Sequence, residues 1–199
     1  MADLGEMAET DYLTLTEAEA AFLKAAVDTI IPADALSPSG SECGVVDFID
    51  CELAGPYGEG ARLYRDGPVG KGKPEHGYQL DLAPREFFRQ GIAAADAWIE
   101  TRFGARLAAL DEPQRQAAFT EIESGAAQFQ NFEAREFFDS LLQIVMEGFF
   151  ADPYYGGNRD MAGWKMIGYP GLPADYQHAM EHLRGQRHRP KPRSIGDYA

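Results

Sequence analysis

Glu133-Ala-Arg-Glu-Phe-Phe-Asp-Ser-Leu-Leu-Gln-Ile-Val-Met-Glu-Gly-Phe-Phe150 decides the fold. Phe137, Phe138, Leu141, Leu142, Val145, Met146 and Phe149 recur at the spacing of one helix face, and a stripe this wide suits the centre of a helical core. The helix then delivers Asp152-Pro-Tyr-Tyr-Gly-Gly-Asn-Arg-Asp-Met-Ala-Gly-Trp-Lys-Met-Ile-Gly-Tyr-Pro-Gly171 to the surface. Asp152 can accept backbone hydrogen bonds in a turn, Pro153 blocks the helix, and Asn158 tolerates left-handed backbone. Arg159 and Asp160 are expected to pair across the turn. Gly156 and Gly157 allow close approach, while Tyr154, Tyr155, Trp164 and Tyr169 offer rigid contact area with polar tips. That chemistry suits recognition by another polypeptide, with Trp164 as an anchor.

Working outward, Thr16-Glu-Ala-Glu19 reads as a capping box, followed by Phe22, Ala25, Ala26, Thr29 and Ile30 at helical spacing until Pro32. Val45, Ile49 and Leu53 mark a shorter second helix ending at Gly55-Pro56. Pro84 opens a third, carrying Phe87, Phe88, Ala95, Trp98, Ile99 and Phe103 up to Gly104. Asp111 caps a fourth, with Pro113 in its first turn and Gly125 beyond its end. Residues 172–183 are expected to hold a last short helix. Between the second and third helices, residues 55–82 are rich in glycine and proline and carry Tyr57, Tyr64 and Tyr78. A loop of that length packs partly on its own body and partly on a partner, or wholly on itself. No convincing alternating strand pattern occurs. The expected fold class is mainly α: a single irregular helical domain over residues 15–183 with two long Gly/Pro/Tyr-rich loops. Residues 1–14 read as a flexible N-terminal segment and 184–199 as a basic, proline-containing tail, extended and serving as a docking arm or a solvated end.

The chain has 199 residues and a formal net charge of -14. Such a charge repels phosphate backbones and anionic lipid, which argues against sequence-independent nucleic-acid binding. No apolar run approaches the roughly 20 residues that span a bilayer. The acidic N-terminus lacks the basic stretch and apolar core of a signal peptide.

Cys43 and Cys51 are the two cysteines. On one continuous helix they would lie ~12 Å apart, too far for a bridge, so a disulfide requires Cys43 to fold back from the preceding loop. The alternative is two buried thiols. His178-Ala-Met-Glu-His182 matches the H-x-x-E-H pattern of inverted zinc peptidases, in which His178 and His182 would hold zinc and Glu181 would act as base. That reading, a zinc-dependent hydrolase, is the rival to the interface reading, and it lacks a third ligand near this short, terminal helix. Gly156-Gly-Asn-Arg-Asp160 is not a dinucleotide or P-loop motif, and no nucleophile elbow is present. Asp28, Asp34, Asp47 and Asp50 bring carboxylates near one another, with solvated or capping roles favoured over paired acid/base work.

Leu15-Thr-Glu-Ala-Glu19, Ile30-Ile-Pro-Ala-Asp34, Phe48-Ile-Asp-Cys-Glu-Leu-Ala-Gly-Pro-Tyr-Gly58, Gly77-Tyr-Gln-Leu80 and Glu147-Gly-Phe-Phe-Ala-Asp-Pro-Tyr-Tyr-Gly-Gly-Asn-Arg-Asp-Met-Ala-Gly-Trp-Lys165, in this order, resemble the gluconate 2-dehydrogenase subunit 3 family. The resemblance implies a non-catalytic small subunit without a cofactor of its own. Its partner would be an FAD-containing large subunit of the glucose-methanol-choline type that oxidises a sugar or sugar acid. A cytochrome c subunit with haem c would then pass electrons to the respiratory chain. It further implies a periplasmic protein associated with the inner membrane through its partners. In that setting the small subunit supports folding, stability or export of the flavoprotein. The residue chemistry assigns the interface to Tyr57, Tyr64, Tyr78, Asp152, Pro153, Tyr154, Tyr155, Gly156, Gly157, Asn158, Trp164 and Tyr169.

Overall fold

Helix α1, Glu17–Ile30, begins where its capping box places it: the Thr16 hydroxyl accepts the Glu19 amide at 3.3 Å and Glu19 returns a carboxylate to the Thr16 amide at 2.8 Å. The computed structural model describes residues 12–61, 63, 67, 70, 72–73, 76–130, 132–173 and 176–198. Within them follow α2, Val45–Ala54; α3, Pro84–Phe103; α4, Glu112–Glu123; α5, Ala134–Phe150; α6, Ala162–Ile167; and α7, Gln177–His182. No β-strand occurs among the described residues, only two isolated bridges. The architecture is mainly α, as its sequence patterning predicts.

Start and stop signals act locally. Pro84 sits in the first turn of α3 and Gly104 closes it in left-handed conformation. Asp111 and Gln114 form a second capping box at α4. Packing then decides the interior. Helix α5 lies against α1, α2, α3, α4 and α6, and Phe137, Leu141, Ile144 and Val145 are sealed from solvent. Each such side chain contributes about 2 kcal/mol of apolar burial. Phe87, Phe88, Phe132 and Phe137 interlock as tilted and edge-on rings, the arrangement that ring quadrupoles favour.

The α5 stripe differs from expectation on one flank. Met146 is exposed and Leu142 half-buried, while Ile144 and Gly148 take inward positions. The 3.6-residue turn places the stripe's axis along 137, 141, 144 and 148, leaving 142 and 146 at its edge.

The described residues nearest each terminus are tied more closely than their composition suggests. The Asp50 carboxylate, buried on α2, accepts the amides of Leu13, Thr14 and Leu15. Residues 12–14 are thus held against α2, and 1–11 fall outside the described residues. At the other end the expected extended arm folds back. Leu172 donates to the Arg193 carbonyl at 2.8 Å, Arg193 to the Pro170 carbonyl at 3.2 Å, and the Tyr198 hydroxyl to the Leu172 carbonyl at 3.1 Å. Backbone amides that need partners fasten what charge alone marks as a free tail.

Candidate functional site

Helix α5 carries two surface features along its length. The first is a groove of about 550 Å³ between its exposed face and the long excursion, lined by Tyr57, Tyr78, Leu80, Gln143, Ile144 and Glu147 among others. Arg85 closes the base of the excursion by donating to the Leu53 and Ala54 carbonyls at 2.7 and 3.0 Å, satisfying the open end of α2. Tyr78 stacks on Phe87 with ring centroids 3.9 Å apart and donates to the Leu82 carbonyl. It anchors the loop to its own body. Tyr57 remains 41% exposed, yet burial around its phenol, with Tyr78, Glu147 and Glu52 nearby, pushes its hydroxyl up to about 12. It is therefore a neutral hydrogen-bonding group at any physiological pH. Tyr64 lies outside the described residues.

The second feature begins where α5 stops. The Asp152 carboxylate accepts the Tyr154 amide at 2.9 Å with one oxygen and the Ile195 amide at 2.9 Å with the other, so one side chain caps the Pro153–Tyr155 turn and clamps the returning C-terminus. Asn158 is fully buried: it donates to the Ala151 carbonyl at 2.8 Å and accepts the Gly163 amide at 2.9 Å. Its left-handed backbone agrees with expectation, and Asp160 and Met161 share that region. Three such non-glycine residues within four positions store backbone strain, which persists only where surrounding contacts over-determine the path.

Those contacts come from glycine and arginine. A Cβ at Gly157 would lie 2.2 Å from the Gly148 carbonyl oxygen, so only a bare backbone lets this segment rest on α5. Gly44, at φ +79°, makes the same close approach to the Gly156 carbonyl. Arg159 reaches back to α2, bonding Asp47 at 2.9 Å and the Glu42 carbonyl at 3.1 Å, while its amide donates to Cys43. The expected pairing with Asp160 gives way because Asp47 offers a cross-segment partner.

Trp164 turns inward and is not the exposed anchor that its sequence setting predicts: it is 6% exposed and its indole donates to the Phe150 carbonyl at 2.8 Å. The end of α5 leaves that carbonyl without a helical amide donor, and the indole N–H supplies one. Tyr169 packs edge-on against Trp164 at 5.0 Å and is half-buried. Gly157 and Asn158 are likewise buried. What the segment turns outward is Tyr154 at 65% and Tyr155 at 49%, their rings edge-on at 5.4 Å, with Met166 and Ile167 exposed on α6.

The cysteines are both free: Cys43 is buried and Cys51 exposed on α2. The bridge is absent, and so is the alternative of two buried thiols. Burial, then the Asp50, Asp47 and Glu52 charges, raise the Cys51 thiol above its ordinary value.

The four early carboxylates are separated by their partners. Asp28 binds the Ser41 amide and hydroxyl, Asp47 binds Arg159, and Asp50 holds the N-terminal approach. Asp34 accepts the Leu36 and Ser37 amides, which hold its carboxyl below the usual range. His178 and His182 lie on the exposed α7 with rings stacked 4.0 Å apart, and the Nδ1 of His182 faces the His178 carbonyl. No group of three metal-ligating side chains is assembled among the described residues.

The fold and this face define a class: a helical domain that braces a strained, glycine-packed segment and uses it to present tyrosines. The chain belongs to the gluconate 2-dehydrogenase subunit 3 family, whose model matches residues 17–171. It is thereby a subunit type of a dehydrogenase complex. Comparison with the curated proteins finds no match, and comparison with the solved structures finds none either.

Proposed function

We propose that this chain is the non-catalytic small subunit of a heteromeric, FAD-dependent dehydrogenase acting on a sugar or sugar acid, and that it supports folding, stability or export of the flavoprotein large subunit. Family membership supplies the complex. The observation that carries the docking role is the Tyr154–Tyr155 pair, exposed yet held on a backbone clipped by Asp152, Asn158 and Arg159. Rigid aromatic side chains lose little freedom on binding and rank among the strongest interface anchors. Tyr57 and the groove beside it extend the contact along α5.

The mechanism is mass action. A subunit that binds only the folded flavoprotein stabilises it by about 2.7 kcal/mol at a free concentration a hundred times the Kd. Flavin then sits in the large subunit, a cytochrome with haem c receives its electrons, and the assembly works in the periplasm against the inner membrane. Expressing the large subunit with and without this chain tests the escort role. The expected result is more soluble flavoprotein with higher flavin content and dye-reduction activity when both are present; equal yields of active flavoprotein would refute it.

A further inference from the structure

Arg184, Arg187, His188, Arg189, Lys191 and Arg193 crowd into residues 184–193, beyond the stretch that the family model matches. All six are exposed. The chain holds 32 acidic residues against 18 basic ones, yet among the described residues none of these five permanent cations forms an ion pair, although Arg85, Arg89, Arg102, Arg106, Arg135 and Arg159 do. Arg193 instead lies over the Tyr198 ring at 4.3 Å.

The stretch is also fastened at its C-terminal end. Helix α7 ends at His182, and from Pro192 onward the chain is fastened: Pro192 and Ser194 are buried, Arg193 pairs with Gly171 in a parallel bridge, and Ile195 donates to Asp152. A tethered loop loses less conformational freedom on binding than a free tail.

We propose that residues 184–193 form a docking site for a carboxylate-rich face of another polypeptide. Four of the five permanent cations are arginines, whose planar forks pair bidentately with carboxylates. A lipid surface fits less well. The stretch contains no large apolar side chain to insert into a bilayer, and an extended anionic sheet would repel the -14 body along with attracting the loop. A discrete acidic face can engage the loop alone. The proposal does not depend on the partner being a flavoprotein.

The test uses the full chain and a variant with Arg184→Gln, Arg187→Gln, Arg189→Gln and Lys191→Gln, which leaves the C-terminal fastening intact. A labelled peptide of roughly ten glutamates is titrated into each at about 50 mM and about 300 mM salt, because exposed charge pairs weaken as the Debye length shrinks. The expected result is salt-sensitive binding by the native chain that weakens about tenfold in the variant, the scale of several exposed pairs lost together. No binding by the native chain, or equal binding by both, overturns the proposal. Phosphatidylglycerol vesicles are run in parallel; binding to them without binding to the peptide overturns it in favour of lipid. A salt-sensitive dimer of the native chain alone, lost in the variant and unaccompanied by peptide binding, overturns it in favour of a second copy. Matching circular dichroism and melting of the two proteins verify the variant's fold.

Discussion

Asp50 shows how much one side chain can hold. Its carboxylate is 4% exposed and its acceptors are taken by three consecutive amides at the approach to α1. Asp50→Ala removes the acceptor and leaves those donors in a closed site, so a loss of about 3 kcal/mol is expected, or roughly 6–12 °C in Tm; a melt unchanged within about 2 °C would contradict the pairing. The cysteines give a second expectation. With burial and neighbouring carboxylates favouring the protonated thiol, Cys51 should alkylate more slowly than free cysteine at neutral pH and faster as pH rises past its ordinary value. Cys43, buried, should react only on unfolding. Thiol titration of the unreduced, denatured protein should find both groups free, whereas a count of zero would restore the bridge. Asp47 and Asp50 illustrate the reach of sequence reading at this scale: their i, i+3 spacing marks a shared helix face, but not that one meets Arg159 and the other three amides. Those partners are more than thirty positions away.

At the scale of elements, the helices were legible because their punctuation is local. Thr16 with Glu19, Pro84, Gly104 and Asp111 each act within one turn, and the structure uses all of them. The 152–171 segment was legible as irregular but not in its purpose. Its glycines read as room for a partner; Gly157 in fact makes room for Gly148, and Trp164 turns inward to the Phe150 carbonyl. Of its large apolar side chains, Tyr154, Tyr155, Met166 and Ile167 face out. Nothing in glycine's chemistry says which surface will approach it, so internal and external contact look alike in sequence. Gly157→Ala separates them. A methyl group driven against the α5 backbone should cost about 1–3 kcal/mol and speed proteolysis around 152–161; a variant as stable and protease-resistant as the native chain would show that the segment does not rest on α5.

At the scale of the molecule, α5 ties core to surface: one side builds the aromatic interior, another lines the Tyr57 groove, and its end launches the tyrosine edge. The C-terminus returns to the same edge through Asp152, so the tyrosine turn and the end of the basic loop are braced by one carboxylate. The long-range fastening of the tail was not legible, because Pro190, Pro192 and the surrounding cations carry the composition of a solvated arm while its backbone amides find carbonyls at 170–172. The central proposal is that Tyr154 and Tyr155 seat this subunit on a flavoprotein partner. Light-scattering mass of the co-expressed pair, with the native chain and with a Tyr154→Ser, Tyr155→Ser variant, tests it most directly. The account predicts a heteromer with the native chain, and a variant that melts normally but elutes alone, its affinity reduced by about 2 kcal/mol or more, roughly thirtyfold. A variant that co-elutes with the flavoprotein as fully as the native chain, or a native chain that never joins it, would contradict the account.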